Sequence, residues 1–250
     1  MLRIRKMNYK NNFVKIFFVF LLSLLFLGLN FALTSNENLA NKVENVISNH
    51  YNQNFDVTVN KDHFVTITGQ VNTLYDKLKI FEIVSKIKGI RDITDNITVN
   101  TPILPDKIIQ ANIVNELNMV SSILEPNRIK VSVDNGEVML GGTVSFYREK
   151  LMAETVASWE KGVRGIADNI KVLPPAKAVS DANLKIILHD ILNDQFSAEK
   201  NVSFTVNNGV VVLNGMVDIL YAKRRIKDEF SSIIGIKKVI NNLKVEQHIS

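Results

Sequence analysis

GIRDITDNITVN, from Gly89 to Asn100, returns as GVRGIADNIKVL from Gly162 to Leu173 and again as GIKKVINNLKVE from Gly235 to Glu246. Each return is 73 residues after the last. Twenty residues upstream the same step holds, since Gly69-Gln70-Val71 recurs as Gly142-Thr143-Val144 and as Gly215-Met216-Val217. A fixed period of this size marks one supersecondary unit written several times. Fold and function are therefore sought in a small module used three times.

Outward from these glycines the hydrophobic pattern gives the elements. Val57/Val59 with Val65/Ile67, Val131/Val133 with Val138/Leu140, and Phe204/Val206 with Val211/Leu213 alternate with period two, as paired strands with one buried face do. Asn135-Gly136 and Asn208-Gly209 join the later two pairs and predict type I′ hairpin turns, whose central residues need positive φ. The first unit has one residue more at this joint, so His63 reads as a turn residue before it reads as a ligand.

A first helix precedes each hairpin, with apolar stripes at Leu39, Val43, Val46 and Ile47, at Ile113, Leu117 and Val120, and at Leu184, Leu188 and Ile191. A second helix follows it, with stripes at Ile80, Val84 and Ile87, at Ala153, Val156 and Ala157, and at Ile226, Phe230 and Ile233. Gly89, Gly162 and Gly235 stand where a glycine just past the last turn would satisfy the final carbonyls. A last strand alternates Ile97/Val99, Ile170/Val172 and Leu243/Val245.

Each unit is thus α-β-β-α-β, and the fold class is α+β: three tandem small units with mixed sheets after an N-terminal hydrophobic helix. A strand–helix–strand connection makes the last strand parallel to the second, with both helices on one face of the sheet. Strand order stays open. Prolines mark the joints, Pro102 and Pro105 first, then Pro174 and Pro175. The predicted division is 1–35, 36–101, 104–174 and 179–247.

The N-terminal segment reads as an address. Ile16 to Leu29 is an uninterrupted run of apolar or small residues, extending to Leu33 if Asn30 is allowed. Its length lies between a signal-peptide core and a spanning helix. Residues 1–35 are accordingly a signal peptide or a signal anchor. Arg3, Arg5, Lys6, Lys10 and Lys15 all precede the run, which orients the rest of the chain away from the cytoplasm.

Those five cations also account for the net charge of +5: removing them from 30 basic residues leaves 25, against 25 acidic residues in 36–250. The excess is an N-terminal flank, and the nucleic-acid class loses its compositional support. With no cysteine, disulfides, thiolate metal sites and thiol nucleophiles are excluded. His50, His63, His189 and His248 show no metal-ligand spacing and do not recur with the period. No phosphate loop or Gly-x-Ser-x-Gly motif is present. No cofactor, metal or catalytic group is expected.

A unit of this size and order resembles the BON (bacterial OsmY and nodulation) domain. The residues that carry the resemblance are Gly69, Gly89 and Asn96, then Gly142, Gly162 and Asn169, then Gly215, Gly235 and Asn242. Their period assigns them structural roles. The resemblance implies a non-enzymatic protein of the bacterial envelope, with units that bind phospholipid membranes or other envelope components. The expected place is the periplasmic side, anchored in the inner membrane by the N-terminal helix or released if that segment is cut.

Charge is where the copies diverge. The second helix begins Asp76-Lys77-Leu78-Lys79 in unit one, Glu149-Lys150-Leu151-Met152 in unit two and Ala222-Lys223-Arg224-Arg225 in unit three. Lys223, Arg224, Arg225 and Lys227 form a basic face there, and Ile219, Leu220 and Tyr221 an apolar helix start. Near an anionic surface each cation contributes about 1 kcal/mol. These seven residues are the candidate lipid-binding set, with an anionic phospholipid membrane as partner. The alternative is a scaffold docking on proteins of an envelope or secretion assembly.

Overall fold

A computed structural model describes residues 36–174, 179–199 and 201–246. The apolar run that ends at Leu33 and His248 lie outside them. Among the described residues no helix is long and apolar enough to cross a membrane.

Unit one consists of α1 (36–48), β1 (Phe55–Val59), β2 (Phe64–Val71), α2 (Leu74–Ser85) and β3 (Asp92–Val99). Unit two has α3 (Asp106–Met119), β4 (Ile129–Asp134), β5 (Glu137–Val144), α4 (Tyr147–Trp159) and a last strand interrupted into β6 (Gly165–Asp168) and β7 (Lys171–Val172). Unit three repeats this with α5 (Asp181–Gln195), β8 (Val202–Asn207), β9 (Val210–Val217), α6 (Leu220–Ser231), β10 (Lys238–Asn241) and β11 (Lys244–Val245). The α-β-β-α-β order is the predicted one, and the fold is α+β with three mixed sheets.

In every unit the middle strand is central. It pairs antiparallel with the strand before it and parallel with the strand after the helix, as in β1-β2-β3. Inward residues of the central strands, such as Val65, Ile67, Val138, Leu140, Val211 and Leu213, are fully buried. Their neighbours point to the opposite face, where Phe64, Met139 and Met216 are exposed and which no helix covers among the described residues. Alternation of this kind fixes register, because a slip of one residue would turn the whole apolar set to water.

The hairpins close as predicted, with Asn135 and Gly136 at φ 51 and 78 and Asn208 and Gly209 at φ 51 and 75. A carboxylate from the first helix holds each turn: Asp106 accepts from the N–H groups of Asn135 (2.9 Å) and Gly136 (3.0 Å). Asp181 does the same for Asn208 (2.7 Å) and Gly209 (2.9 Å). Those two bonds hold the Asp181 carboxyl below its ordinary value. In unit one the longer turn is self-contained, since Asn60 Oδ1 accepts from Asp62 and Phe64 and His63 takes φ 60.

Gly142 and Gly215 have φ of 92 and 121, and a Cβ on either would run into a backbone carbonyl, that of Arg128 or Asn201. Gly69 reaches the same place without positive φ, where the Phe55 ring covers it. Two expectations need adjustment. The second helices stop at Ser85, Trp159 and Ser231, so Gly89, Gly162 and Gly235 take their φ of 97, 90 and 100 in the turn that follows rather than directly at the helix end. Tighter bonds end the helices instead, such as Ile87 N–H to the Val84 carbonyl (3.0 Å). On α3 the buried stripe is Ile109, Ile113 and Leu117, one turn earlier than the expected one, which ended on Val120.

Asn169 and Asn242 lie at the interruptions of the last strands, where their N–H groups bond the carbonyls of Leu140 (2.7 Å) and Leu213 (2.9 Å). Asn96, by contrast, sits inside an unbroken β3, opposite Thr68.

The units pack through their second helices, with α2 contacting both α4 and α6. One core spans units one and three, while Leu74 of α2 joins the core of unit two. Residues off the core stripe of α2 explain its place. Tyr75 meets the Trp159 ring edge-on at 5.8 Å, and Phe81 lies under the Arg224 guanidinium at 4.9 Å. The linker is pinned as well, as Thr101 Oγ1 accepts from Gly162 N–H (2.7 Å).

Candidate functional site

A lysine recurs at the same place in each second helix, and its surroundings decide what it can do. Lys77 donates to the Ile97 carbonyl (2.7 Å) and pairs with Asp95 (3.0 Å). Lys150 repeats both contacts, with Ile170 (2.9 Å) and Asp168 (3.1 Å). The carboxylates also accept from Ile97 and Ile170 N–H, tying the lysine to the last strand.

One further step of 73 residues from Asp168 reaches Asn241. Asn241 Oδ1 still accepts from Leu243 N–H (3.2 Å), so the backbone device survives. Its amide nitrogen donates to the Lys223 carbonyl (2.8 Å). Lys223 is therefore the one lysine of the three with no carboxylate partner among the described residues. The basic face of α6 was visible in the sequence. Asn241 was missed, although the repeat alignment that pairs it with Asp95 and Asp168 contains the signal.

The other expected residues fall in two groups. Ile219 is the N-cap of α6, Leu220 is 6% exposed, and Tyr221 is half-buried with Lys86 Nζ 4.7 Å above its ring. Leu220 is thus withdrawn from the expected apolar tip and Tyr221 is engaged by unit one, whose Lys88 also pairs with Asp218 (3.3 Å) beside them. Arg224 is exposed but spread over Phe81, and Arg225 pairs with Glu229 (2.8 Å). Lys227 stands exposed. Lys223, half-buried, and Lys227, exposed, stand one helical turn apart, and neither pairs with a carboxylate among the described residues.

Where α6 faces α4, Arg148 reaches Glu229 (3.3 Å) and half-buried acids gather. Burial raises the Glu154 carboxyl, helped by Asp168 and opposed by Lys150 and Arg224. Asp228 is likewise raised by burial, against Lys227, Arg224 and Arg225. The Tyr147 hydroxyl, buried beside Asp228, is pushed up to about 12. These groups belong to a joint between units.

His50 Nδ1 lies 2.9 Å from the Val46 carbonyl, and the His189 ring lies 4.9 Å from that of Phe204. Among the described residues no group of His, Asp and Glu could hold a metal ion.

Comparison with known proteins agrees with the repeat. The BON domain model matches residues 35–101, 105–174 and 180–247. No curated protein matches the chain. Among solved structures, the C-terminal domain of CdsD, the structural protein of the type III secretion system of Chlamydia trachomatis, is 18% identical over 81% of this chain and 94% of that one, with a TM-score of 0.22. A second CdsD structure is 16% identical over 85% and 94%, with a TM-score of 0.23. The PrgH periplasmic domain is 12% identical over 78% and 95%, with a TM-score of 0.20. With three consecutive matches spanning residues 35 to 247, the chain belongs to the BON domain family, as three tandem copies.

Proposed function

We propose that the protein is a non-enzymatic module of the bacterial envelope that binds anionic phospholipid surfaces, with unit three as the contacting unit. The observation that carries this is the loss of one charge: Asn241 replaces the aspartate that neutralises the equivalent lysine in units one and two. Family membership and the basic-flanked apolar N-terminal run support an envelope setting on the far side of the inner membrane. Docking through a few cations is reversible and weakens with salt, as the Debye length shrinks from about 10 Å at 0.1 M to about 3 Å at 1 M. Permanent attachment would come from the N-terminal segment.

The test is vesicle sedimentation of residues 36–250, which include every core residue from Leu39 to Val245 among the described residues. N241D should restore the ion pair and weaken binding to anionic vesicles about fivefold, the worth of one cation near the surface. K223Q should do the same. Wild type that ignores lipid charge and salt would refute the reading.

The packing of the units favours a second reading. Tyr221 and Arg224 are engaged against unit one, and α2 contacts the second helices of both other units. Such packing would also suit a protein-docking scaffold in an envelope or secretion assembly. A wild type indifferent to vesicles moves the weight there.

A further inference from the structure

The start of α6 is buried, so a membrane contact by unit three needs its apolar part from elsewhere. The uncovered face of the β8-β9-β10/β11 sheet supplies one. Met216 is 45% exposed and Ile240 37%, with Val210 and Val212 half-exposed beside them. Register places all four on one face, since Ile240 lies opposite Val212 and Lys238 opposite Val210. Lys244 is opposite Met216. On β8 that face presents only exposed Ser203, Thr205 and Asn207. It therefore carries two lysines and no carboxylate. Two acids lie just past its strands: Glu246 follows β11 and accepts a hydrogen bond from Asn201 (2.9 Å), and Asp218 follows β9 and pairs with Lys88 (3.3 Å).

The other two copies show what this face is without such a role. In unit one it carries Asp56 and Asp92 and no lysine, on threonine-rich strands. In unit two Asp134 and Glu137 offset Lys130 and Lys171. Formal charge on the same face of the same fold thus runs from −2 through 0 to +2 (two acids; two acids with two lysines; two lysines). The apolar content changes too. Where unit three has Met216, units two and one have Thr143 and Gln70, and where it has Ile240 they have Ala167 and Thr94.

We propose that the uncovered sheet face of unit three is a docking surface for anionic phospholipid headgroups, with Met216 and Ile240 entering the interface and Lys238 and Lys244 on the phosphates. Charge complementarity argues for this occupant, because an apolar centre whose only charged strand residues are lysines repels a basic partner and attracts an anionic surface. The inference rests on the reading of unit three as the contacting unit and names the face that meets the bilayer.

The cysteine-free chain permits a direct test. The full chain is placed in nanodiscs of phosphatidylcholine, with or without phosphatidylglycerol, carrying one environment-sensitive fluorophore at M216C, or at the equivalent T143C or Q70C. The M216C label should brighten several-fold and shift to the blue in anionic discs only. The other two should not, and adding K238Q and K244Q should abolish the M216C response. An M216C label that stays in water, or equal brightening at all three positions, overturns the proposal. A label at exposed K227C separates the two failures: if it responds while M216C does not, unit three still touches the membrane by another face, and if neither responds, both readings fall.

Discussion

Units two and three close the same corner in different ways. In unit two Glu149, 3% exposed within α4, accepts from the N–H groups of Leu124, Ser145 and Phe146, each at 2.8 Å. In unit three the equivalent residue is Ala222, and an acceptor comes from the preceding loop, where Glu199 takes the N–H of Asp218 (2.9 Å). The same transfer occurs at the strand bend, where Asp168 holds both backbone and lysine while Asn241 holds the backbone alone. The repeat therefore preserves what the backbone requires, which is paired donors and glycines at positive φ. Side-chain charge is free to move, and in unit three it moves off the start of α6. That lets the helix start pack against unit one and leaves its lysine unneutralised.

The largest break in this comparison is at Glu149. Glu149→Ala would leave three part-buried N–H groups without this acceptor and should cost about 3 kcal/mol, given roughly 1–3 kcal/mol for each unsatisfied group and relief by water. Glu199→Ala removes one such bond and should cost about 1 kcal/mol. Denaturant midpoints of the two variants check the ratio. Equal losses would mean that the corner is held by packing and not by the carboxylate.

Next in size are the glycines. Gly142→Val and Gly215→Val force a side chain into a positive-φ residue against a carbonyl and should each cost roughly 1–3 kcal/mol. Gly141→Ala, with open space where the methyl would go, should change stability by less than about 0.5 kcal/mol. Unchanged melting curves for the first pair would remove the backbone role assigned to these glycines.

Much of this was legible in the chain itself, because period-two alternation, Asn-Gly turns and a constant step are local signals. They predicted the element order, the hairpin type and the parallel last strand. Strand order and the central place of α2 were not legible. They depend on which exposed-looking residues of a second helix, such as Tyr75 and Phe81, find a neighbour in another unit. The site was half legible for the same reason. The cations of α6 stand in the sequence, but that Tyr221 and Arg224 are engaged in the seam and that Lys223 lacks its acid depends on contacts 18 residues or more along the chain.

The smallest expected effect, and the one that reads the seam between units two and three directly, is pH dependence. Glu154 and Asp228 are raised by burial at this joint, so the folded chain holds protons that the unfolded chain has already released. Stability then increases as pH falls from the raised values toward the ordinary carboxylate range, since protonation relieves the burial of charge. Asp181 has the opposite sign. Its folded value is depressed by the two turn N–H groups, so its contribution is present above the ordinary aspartate value and is lost as pH falls through the depressed one. Together they predict a stability maximum in mild acid. An E154Q, D228N double variant should be slightly more stable than wild type at neutral pH and flatten the rise, leaving the acid-side decline, whereas D181N should soften the decline and leave the rise. Melting temperatures across the acid range measure both limbs. A double variant that tracks wild type at every pH would show that the seam carboxylates do not set the slope, and that the joint between units two and three is indifferent to charge.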